Sequence, residues 1–375
     1  MAENKEKKVL NVPNLRFPEF EGEWEKCKVG DFGKIITGNT PPTKDIENYE
    51  NGQYLWVSPA DLGLLKSITE TKTKLSKKGF DKTRALPAGS VLVTCIGSTI
   101  GKMGMTTRET STNQQINAIV VNKSNNNEFV YYAVQSAFPK YLSSIAVQAV
   151  PIISKSSFEL LPNYRPSIQE QEKIGRLFAL LDERIATQSK VIDKLQSLIK
   201  GIAHRISKQD KSNIRLSECL QCSSSTLQES DVAEVGQYPV YGANGVVGYL
   251  DTYNTTDEAI YIIKDGSGVG SVSYINGKCS ATGTLNILQA KDGFSLRYLY
   301  FMLKVFSFEP YKTGMAIPHI YFKDYGKAKI FCPPYELQNK YADLLSKIEQ
   351  KAIAEQKILD NLCSQKQYLL RQMFI

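Results

Sequence analysis

Few residues of this chain could do acid–base or metal chemistry, and their spacing argues against it. Histidine occurs twice, at 204 and 319. His204 falls late in a helical stretch, where a positive charge suits the C-terminal end of the helix dipole. No cysteine or carboxylate stands around either histidine at zinc-ligand spacing, so no metal site is expected. Cys219 and Cys222 form a CxxC without a second pair or an obvious helix N-terminus, and two partly buried thiols are the expectation. Gly97 to Lys102 (GSTIGK) is one residue short of a phosphate loop and is followed by Met103 rather than Ser or Thr. Gly266, Gly268 and Gly270 are spaced GxGxG with no suitable helix after them, which reads as a turn and not a dinucleotide site. No catalytic residues are assigned.

Binding chemistry fits better. Both glycine stretches follow an apolar strand and carry small polar residues: Gly97, Ser98, Thr99, Gly101 and Lys102 in one, Gly266, Ser267, Gly268, Gly270 and Ser271 in the other. Glycine permits close backbone approach, and exposed N–H groups suit phosphate. Asn113, Gln114 and Gln115 stand just before a strand, and Asn and Gln amides match adenine edges in a major groove. The corresponding place in the second stretch holds Thr282, Gly283 and Thr284, so the two sites should not read the same sequence. Any one of these residues could equally cap a turn. Thr69 to Arg84 is rich in lysine, including Lys72 and Lys74; it is either a solvated face or a phosphate-contacting edge. Cys332 to Tyr335 (CPPY) looks like the Asn/Asp-Pro-Pro-Tyr catalytic loop of adenine-N6 methyltransferases. There the first side chain accepts a hydrogen bond, which cysteine does poorly. No glycine-rich methyl-donor motif accompanies it, and the segment reads as the lead into a helix.

The elements that must position these groups are two long helices. Phe178, Leu181, Ile185, Gln188, Ile192, Leu195, Ile199 and Ile202 fall at alternating steps of three and four, a seam that requires a partner helix. Leu345, Ile348, Ala352, Glu355, Leu359, Leu362, Lys366 and Leu369 repeat it 167 positions later (345 − 178). AVPII (149–153) reappears as AIPHI (316–320), Pro166 as Pro333 and Gln171 as Gln338. Gly97, Ser98, Ile100 and Gly101 match Gly266, Ser267, Val269 and Gly270 at an offset of 169 (266 − 97). An ordered series of matches means a duplicated unit, each a strand-rich globular part followed by a helix. Strands and helices mix without strict alternation, so the fold class is α+β. The expected order is a disordered tail (1–14), a first globular domain (15–165), a spacer helix (166–208), a second domain (209–332) and a second helix (333–375). Gln188 and Glu355 hold equivalent seam positions and are expected to meet and set the register.

Composition sets outer bounds. The 375 residues allow two or three domains. No apolar run approaches a membrane span. The charged N-terminal stretch has no apolar signal core, which makes a cytoplasmic protein the expectation. Seven scattered cysteines point to reduced thiols. The net charge of +8 permits a polyanion partner without requiring one.

The whole pattern resembles the specificity (S) subunits of type I restriction–modification systems. The matching segments are NLRFPEFEGEW (14–24), TGNTPP (37–42), CIGSTIGK (95–102), TNQQINA (112–118), PSIQEQEKIGRLFALLDERI (166–185), YPVYGANGVVGY (238–249) and DGSGVG (265–270). One departure is CPPYELQNK (332–340), where Glu170 of the first copy becomes Leu337. The resemblance implies two target recognition domains, pseudo-symmetric and separated by an antiparallel two-helix coiled coil. Each reads half of a split, asymmetric site in double-stranded DNA. It implies a non-catalytic subunit docking two methylase (M) subunits that methylate adenine N6, with nuclease/translocase (R) subunits joining for cleavage. S-adenosylmethionine, Mg2+ and ATP are then expected on the partners and no cofactor on this chain. Candidate DNA contacts extend to Thr37, Asn39 and Thr40 in the first domain and to Tyr241, Asn244 and Lys264 in the second. About 37 helical residues at roughly 1.5 Å each reach about 55 Å, more than one DNA turn. The alternative is a non-enzymatic coiled-coil scaffold joining two ligand-binding domains.

Overall fold

The computed structural model describes residues 10–63, 65–143, 152–315 and 317–375. Two uninterrupted helices, Ile168–Ser207 and Tyr335–Met373, are its longest elements. Each follows a short strand and a proline, Pro166 directly after Pro162–Arg165 and Pro333 three residues past the end of Lys329–Ile330. Every expected seam side chain on them is buried or half-buried, while the intervening Glu183, Arg184, Lys190, Lys194, Lys347 and Lys351 are exposed.

The described residues divide into two compact units, one running up to Thr187 and including Ile358–Ile375, the other Gln188–Lys357. Each long helix is therefore shared out between units. Within the first unit the helices pair antiparallel: Phe178 meets Phe374 at 5.7 Å between ring centroids, and Lys366 bonds to Asp182. Within the second, Gln188 donates to the Glu355 carbonyl at 3.0 Å and also to its carboxylate, and Tyr341 donates to Gln209 at 2.8 Å. The expected meeting of Gln188 and Glu355 is thus present.

The first unit holds a five-stranded sheet in the order Gly33–Thr37, Ile116–Val121, Val91–Thr94, Met103–Thr106, Ser67–Ile68, and a three-stranded sheet in the order Thr73–Leu75, Tyr54–Val57, Ser111–Thr112. The second holds a four-stranded sheet, Leu220–Ser224, Leu285–Ala290, Glu258–Ile263, Val272–Asn276, beside a three-stranded one, Gly245–Leu250, Tyr238–Gly242, Ser280–Ala281. Shifted by 169, Ser111–Thr112 and Ile116–Val121 land on Ser280–Ala281 and Leu285–Ala290. The bridge Ile96–Ile152 has its counterpart in Asp265–His319. The duplication inferred from scattered identities is therefore carried by these strands and this bridge, while the five-stranded sheet has one strand, Ser67–Ile68, beyond its four-stranded counterpart.

In both units one apolar helix, Asn127–Ser143 or Leu296–Val305, covers the sheet and meets the long helices in the core. The joint is a buried glutamine. Gln171 accepts from the Asn126 N–H (3.1 Å) and donates to the Pro166 carbonyl (3.0 Å). Gln338 accepts from the Ser295 N–H (2.9 Å) and donates to the Pro333 carbonyl (2.8 Å). Beside it in the first unit, Glu170 is 1% exposed and receives two bonds from Arg16, at 2.8 and 2.7 Å, and one from the Trp24 indole at 3.3 Å. The second unit has no equivalent of the 14–24 segment at the proper offset, and Leu337 takes the place of the carboxylate.

Within 10–14, part of the expected disordered tail, Asn11 and Pro13 make contacts, the Trp24 N–H bonding to the Asn11 carbonyl at 2.8 Å and Pro13 being buried, while Leu10, Val12 and Asn14 are exposed. The tail reading overlooked Pro13 and the Asn11–Glu23 contact that accompanies it. Residues 1–9 lie outside the described residues, as do Ala149, Val150 and Pro151 of the AVPII repeat and Ala316 of its counterpart.

Arg16→Ala should destabilise the chain by roughly 2–3 kcal/mol in urea unfolding, because it strands a buried carboxylate. Replacing both Arg16 and Glu170 by leucine should recover most of that loss.

Candidate nucleic-acid interface

In the first unit, one end of the five-stranded sheet gathers three segments that are distant in sequence. The strand Val91–Thr94 runs out into the glycine loop, where Gly97 and Gly101 sit at φ +93° and +89°. The loop closes on itself through Ile100 N–H to the Gly97 carbonyl (3.1 Å) and Gly101 N–H to the Thr94 carbonyl (2.9 Å). The TGNT segment lies alongside, with the Gly38 N–H on the Ile116 carbonyl and the Asn39 N–H on the Thr112 carbonyl. The approach is so close that a Cβ on Gly38 would stand 2.2 Å from the Asn113 carbonyl oxygen, which is why glycine is needed there. Thr40 bonds to Gln114, and Gln115 reaches the Ile96 carbonyl at 3.5 Å.

The second unit repeats the loop, with Gly266 and Gly270 at φ +97° and +90° and the Gly270 N–H on the Ile263 carbonyl at 2.9 Å. Lys264 and Thr284 are joined through backbone at 3.0 Å, and the Thr282 N–H bonds to the Tyr241 carbonyl at 2.9 Å. Tyr241 packs edge-on against Tyr261. Asn244 is exposed in the turn between Tyr238–Gly242 and Gly245–Leu250.

Ser98, Lys102, Gln114, Asn244, Ser267 and Ser271 are exposed at these ends, and Thr37, Thr40, Thr99, Gln115, Tyr241, Lys264 and Thr284 are half-buried. Three expected contacts are spent inside the protein. Asn113 is 7% exposed and exchanges hydrogen bonds with Gln115, donating to its side chain and accepting from its N–H, both at 3.0 Å. Thr282 is 1% exposed and pairs with Thr284 at 2.8 Å. Asn39 uses both ends of its amide on the segment carrying Lys82 and Arg84. All three side chains hold turns within the protein. Lys72 and Lys74 stand apart on the neighbouring three-stranded sheet; Lys72 is exposed, and Lys74 is paired with Glu70 at 2.6 Å.

Two further groups at these ends are absent from the individually expected contacts. Arg84 is exposed and its guanidinium bonds to the Thr37 carbonyl at 2.6 Å, which brings a cation to the TGNT segment from 47 residues away. It was visible only as the last cation of a lysine-rich run. His319 stands 2.7 Å from Asp265 of the second glycine loop; the AIPHI repeat that contains it served only as a marker of duplication. The CxxC thiols are not primed for chemistry: burial pushes Cys219 up to about 12 and Cys222 to about 11. Among the described residues, no group of three or more His, Cys, Asp or Glu could hold a metal ion, and no helix is long and apolar enough to cross a membrane.

A family profile described as "Type I restriction modification DNA specificity domain" matches residues 21–197 and 209–363. The chain is 34% identical over 126 residues to the HindI specificity subunit of Haemophilus influenzae, covering 33% of this chain and 27% of that protein. It is 26% identical over 182 residues to the MjaIX specificity subunit of Methanocaldococcus jannaschii, covering 47% and 42%. The matches thus span less than half the length of these curated relatives. In fold the chain is similar to the S subunit of a type I restriction–modification system from M. genitalium, with TM-score 0.69, 18% identity and coverage of 97% and 99% of the two chains. It is also similar to a chain from a study of assembly and conformational transition in the type I system, with TM-score 0.53, 16% identity and coverage of 92% and 96%.

Asn113→Ala should cost about 1–3 kcal/mol of stability because it leaves the Gln115 N–H unpaired. The exposed neighbour change Gln114→Ala should stay within about 0.5 kcal/mol. Chemical denaturation of the two variants checks the division between positioning and contacting residues.

Proposed function

The chain belongs to the type I restriction–modification DNA specificity family, and from that premise we propose that it is the sequence-reading subunit of such a complex. Each unit reads one half of a split, asymmetric site in double-stranded DNA. The paired helices fix the gap and dock two methylase subunits. Those subunits carry S-adenosylmethionine and methylate adenine N6; nuclease/translocase subunits using ATP and Mg2+ join for cleavage. The chain itself performs no chemical step and works in the cytoplasm.

The observation that carries this reading is the repetition of one strand–glycine loop–strand arrangement in both units, each tied to a long helix by the same buried glutamine. The side chains around the two loops differ, Gln114 and Gln115 in one against Gly283 and Thr284 in the other, which suits two half-sites of different sequence. Lys102, Arg84 and Lys264 supply phosphate-seeking cations at the same ends. The uninterrupted 40-residue helix is about 60 Å long, enough for a gap between contacts made one or more DNA turns apart.

Mapping methylated adenines across the genome, in cells with and without this gene, should reveal a split motif that appears only with it. A heptad inserted after Gln188 should lengthen the gap by about three base pairs while keeping both half-sites, since seven residues add roughly 10 Å. An unchanged gap would refute the helix as ruler. Affinity of the assembled complex for its site should fall steeply with salt, whereas a scaffold without nucleic acid has no such dependence.

A further inference from the structure

The second glycine loop is braced by a backbone bridge between Thr313 and His319. The Thr313 N–H bonds to the His319 carbonyl at 2.9 Å and the His319 N–H to the Thr313 carbonyl at 2.8 Å. Gly314 turns the chain at φ +88°, where a Cβ would stand 2.2 Å from the Ile317 carbonyl oxygen. Three contacts strap this bridged segment to the loop. The Gly266 N–H bonds to the Pro318 carbonyl at 3.0 Å, the Ile320 N–H to the Lys264 carbonyl at 2.9 Å, and His319 Nδ1 stands 2.7 Å from Asp265. On this fixed base Met315 is fully exposed, at 108%, and Ile317 is 57% exposed.

Two apolar side chains exposed beside each other on a fixed base, with polar groups around them, have the character of an interaction surface. The adjoining surface indicates what would cover them. The bridged segment is bonded to the loop that carries Lys264, Ser267 and Ser271, and on its other side Tyr321 lies exposed and parallel to His319, with the Lys323 ammonium 5.2 Å from the tyrosine ring. Cations, small polar groups and a flat aromatic shelf flank the apolar pair, a combination matched to stacked bases between phosphate strands. Methionine and isoleucine are among the residues that wedge between base steps, and the methionine thioether adapts to an irregular gap.

We propose that Met315 and Ile317 form an apolar wedge that enters the base stack of duplex DNA at the half-site read by the second unit. The proposal rests on the DNA-reading function above. By partly unstacking one step, the wedge makes the identity of that step matter, because some steps unstack more readily than others. It also bends the duplex where the glycine loop grips it. The positions that correspond in the first unit, 146–151, lie outside the described residues, so the proposal concerns the second unit alone.

The test uses the full chain assembled with its methylase subunits and duplexes that carry 2-aminopurine in turn at each adenine of the second half-site other than the methylated one. The native complex should raise the emission several-fold at one step. Met315→Ala combined with Ile317→Ala should abolish that rise while the complex still binds, and Met315→Leu with Ile317→Leu should restore it. All of these side chains are exposed, so thermal unfolding should be unchanged. A rise that survives the alanine pair, or no rise at any step of a bound native complex, overturns the wedge. So does an alanine pair that weakens methylase assembly but leaves the emission of bound DNA intact, which would make the two side chains a protein contact. Failure of the assembled native complex to bind any such duplex, read by anisotropy, would instead refute the DNA-reading function on which the wedge depends.

Discussion

A stripe of apolar residues one position wide along a helix of 40 residues cannot be buried by that helix alone, and the architecture follows from supplying the missing surface. In the first unit the supply comes from the end of the chain: Met373 and Phe374 lie in the core with Trp24, Phe129 and Phe178. In the second, Ile199, Ala203 and Ile206 from one helix share a core with Ala342 and Leu345 from the other. The first core is therefore built from segments separated by most of the sequence. Non-local closure of this kind makes folding slower than for a unit assembled from neighbouring segments.

Polar groups inside these cores follow the same economy. A carboxylate is buried at Glu170 where Arg16 and Trp24 meet it, and the equivalent position is Leu337 where no such segment exists. The departure from strict repetition thus has a local electrostatic reason, since an unpartnered buried charge costs far more than a leucine in the same place. The seam obeys the rule as well. Its one mid-helix polar pair, Gln188 with Glu355, is hydrogen-bonded, and the Glu355 carboxyl is held below its usual range by Lys351 and then by Gln188.

Much of this was legible in the sequence because the physics involved is periodic. The three–four spacing from Phe178 to Leu195 and its echo from Leu345 to Leu362 mark buried helix faces without knowledge of the partner. The repeated glycines mark loops because only glycine adopts their positive φ without strain. The interface residues were less legible, because a polar side chain before a strand has the same appearance whether it faces solvent or a neighbouring turn. Asn113 and Gln114 are adjacent, yet one is consumed by Gln115 and the other points outward. Arg84 is legible in the sequence only as one cation of a charged run, because its partner, the Thr37 carbonyl, lies 47 residues away. The contact at Asn11 is not legible because the carbonyl that receives the Trp24 N–H has no side-chain signature.

The glutamine joint has a consequence for how such a molecule diversifies. Gln171 and Gln338 grip the globular parts through main-chain N–H groups, at Asn126 and Ser295, and close on the main-chain carbonyls of Pro166 and Pro333. Those four bonds are to main chain; the one side-chain bond beside them is from Gln171 to the Asn125 Oδ1 at 3.3 Å. A module of quite different surface can be hung on the same hook provided its covering helix begins at the same place. The attachment is thereby set mostly by main-chain groups, which leaves the rest of the module's surface free to differ between the two units.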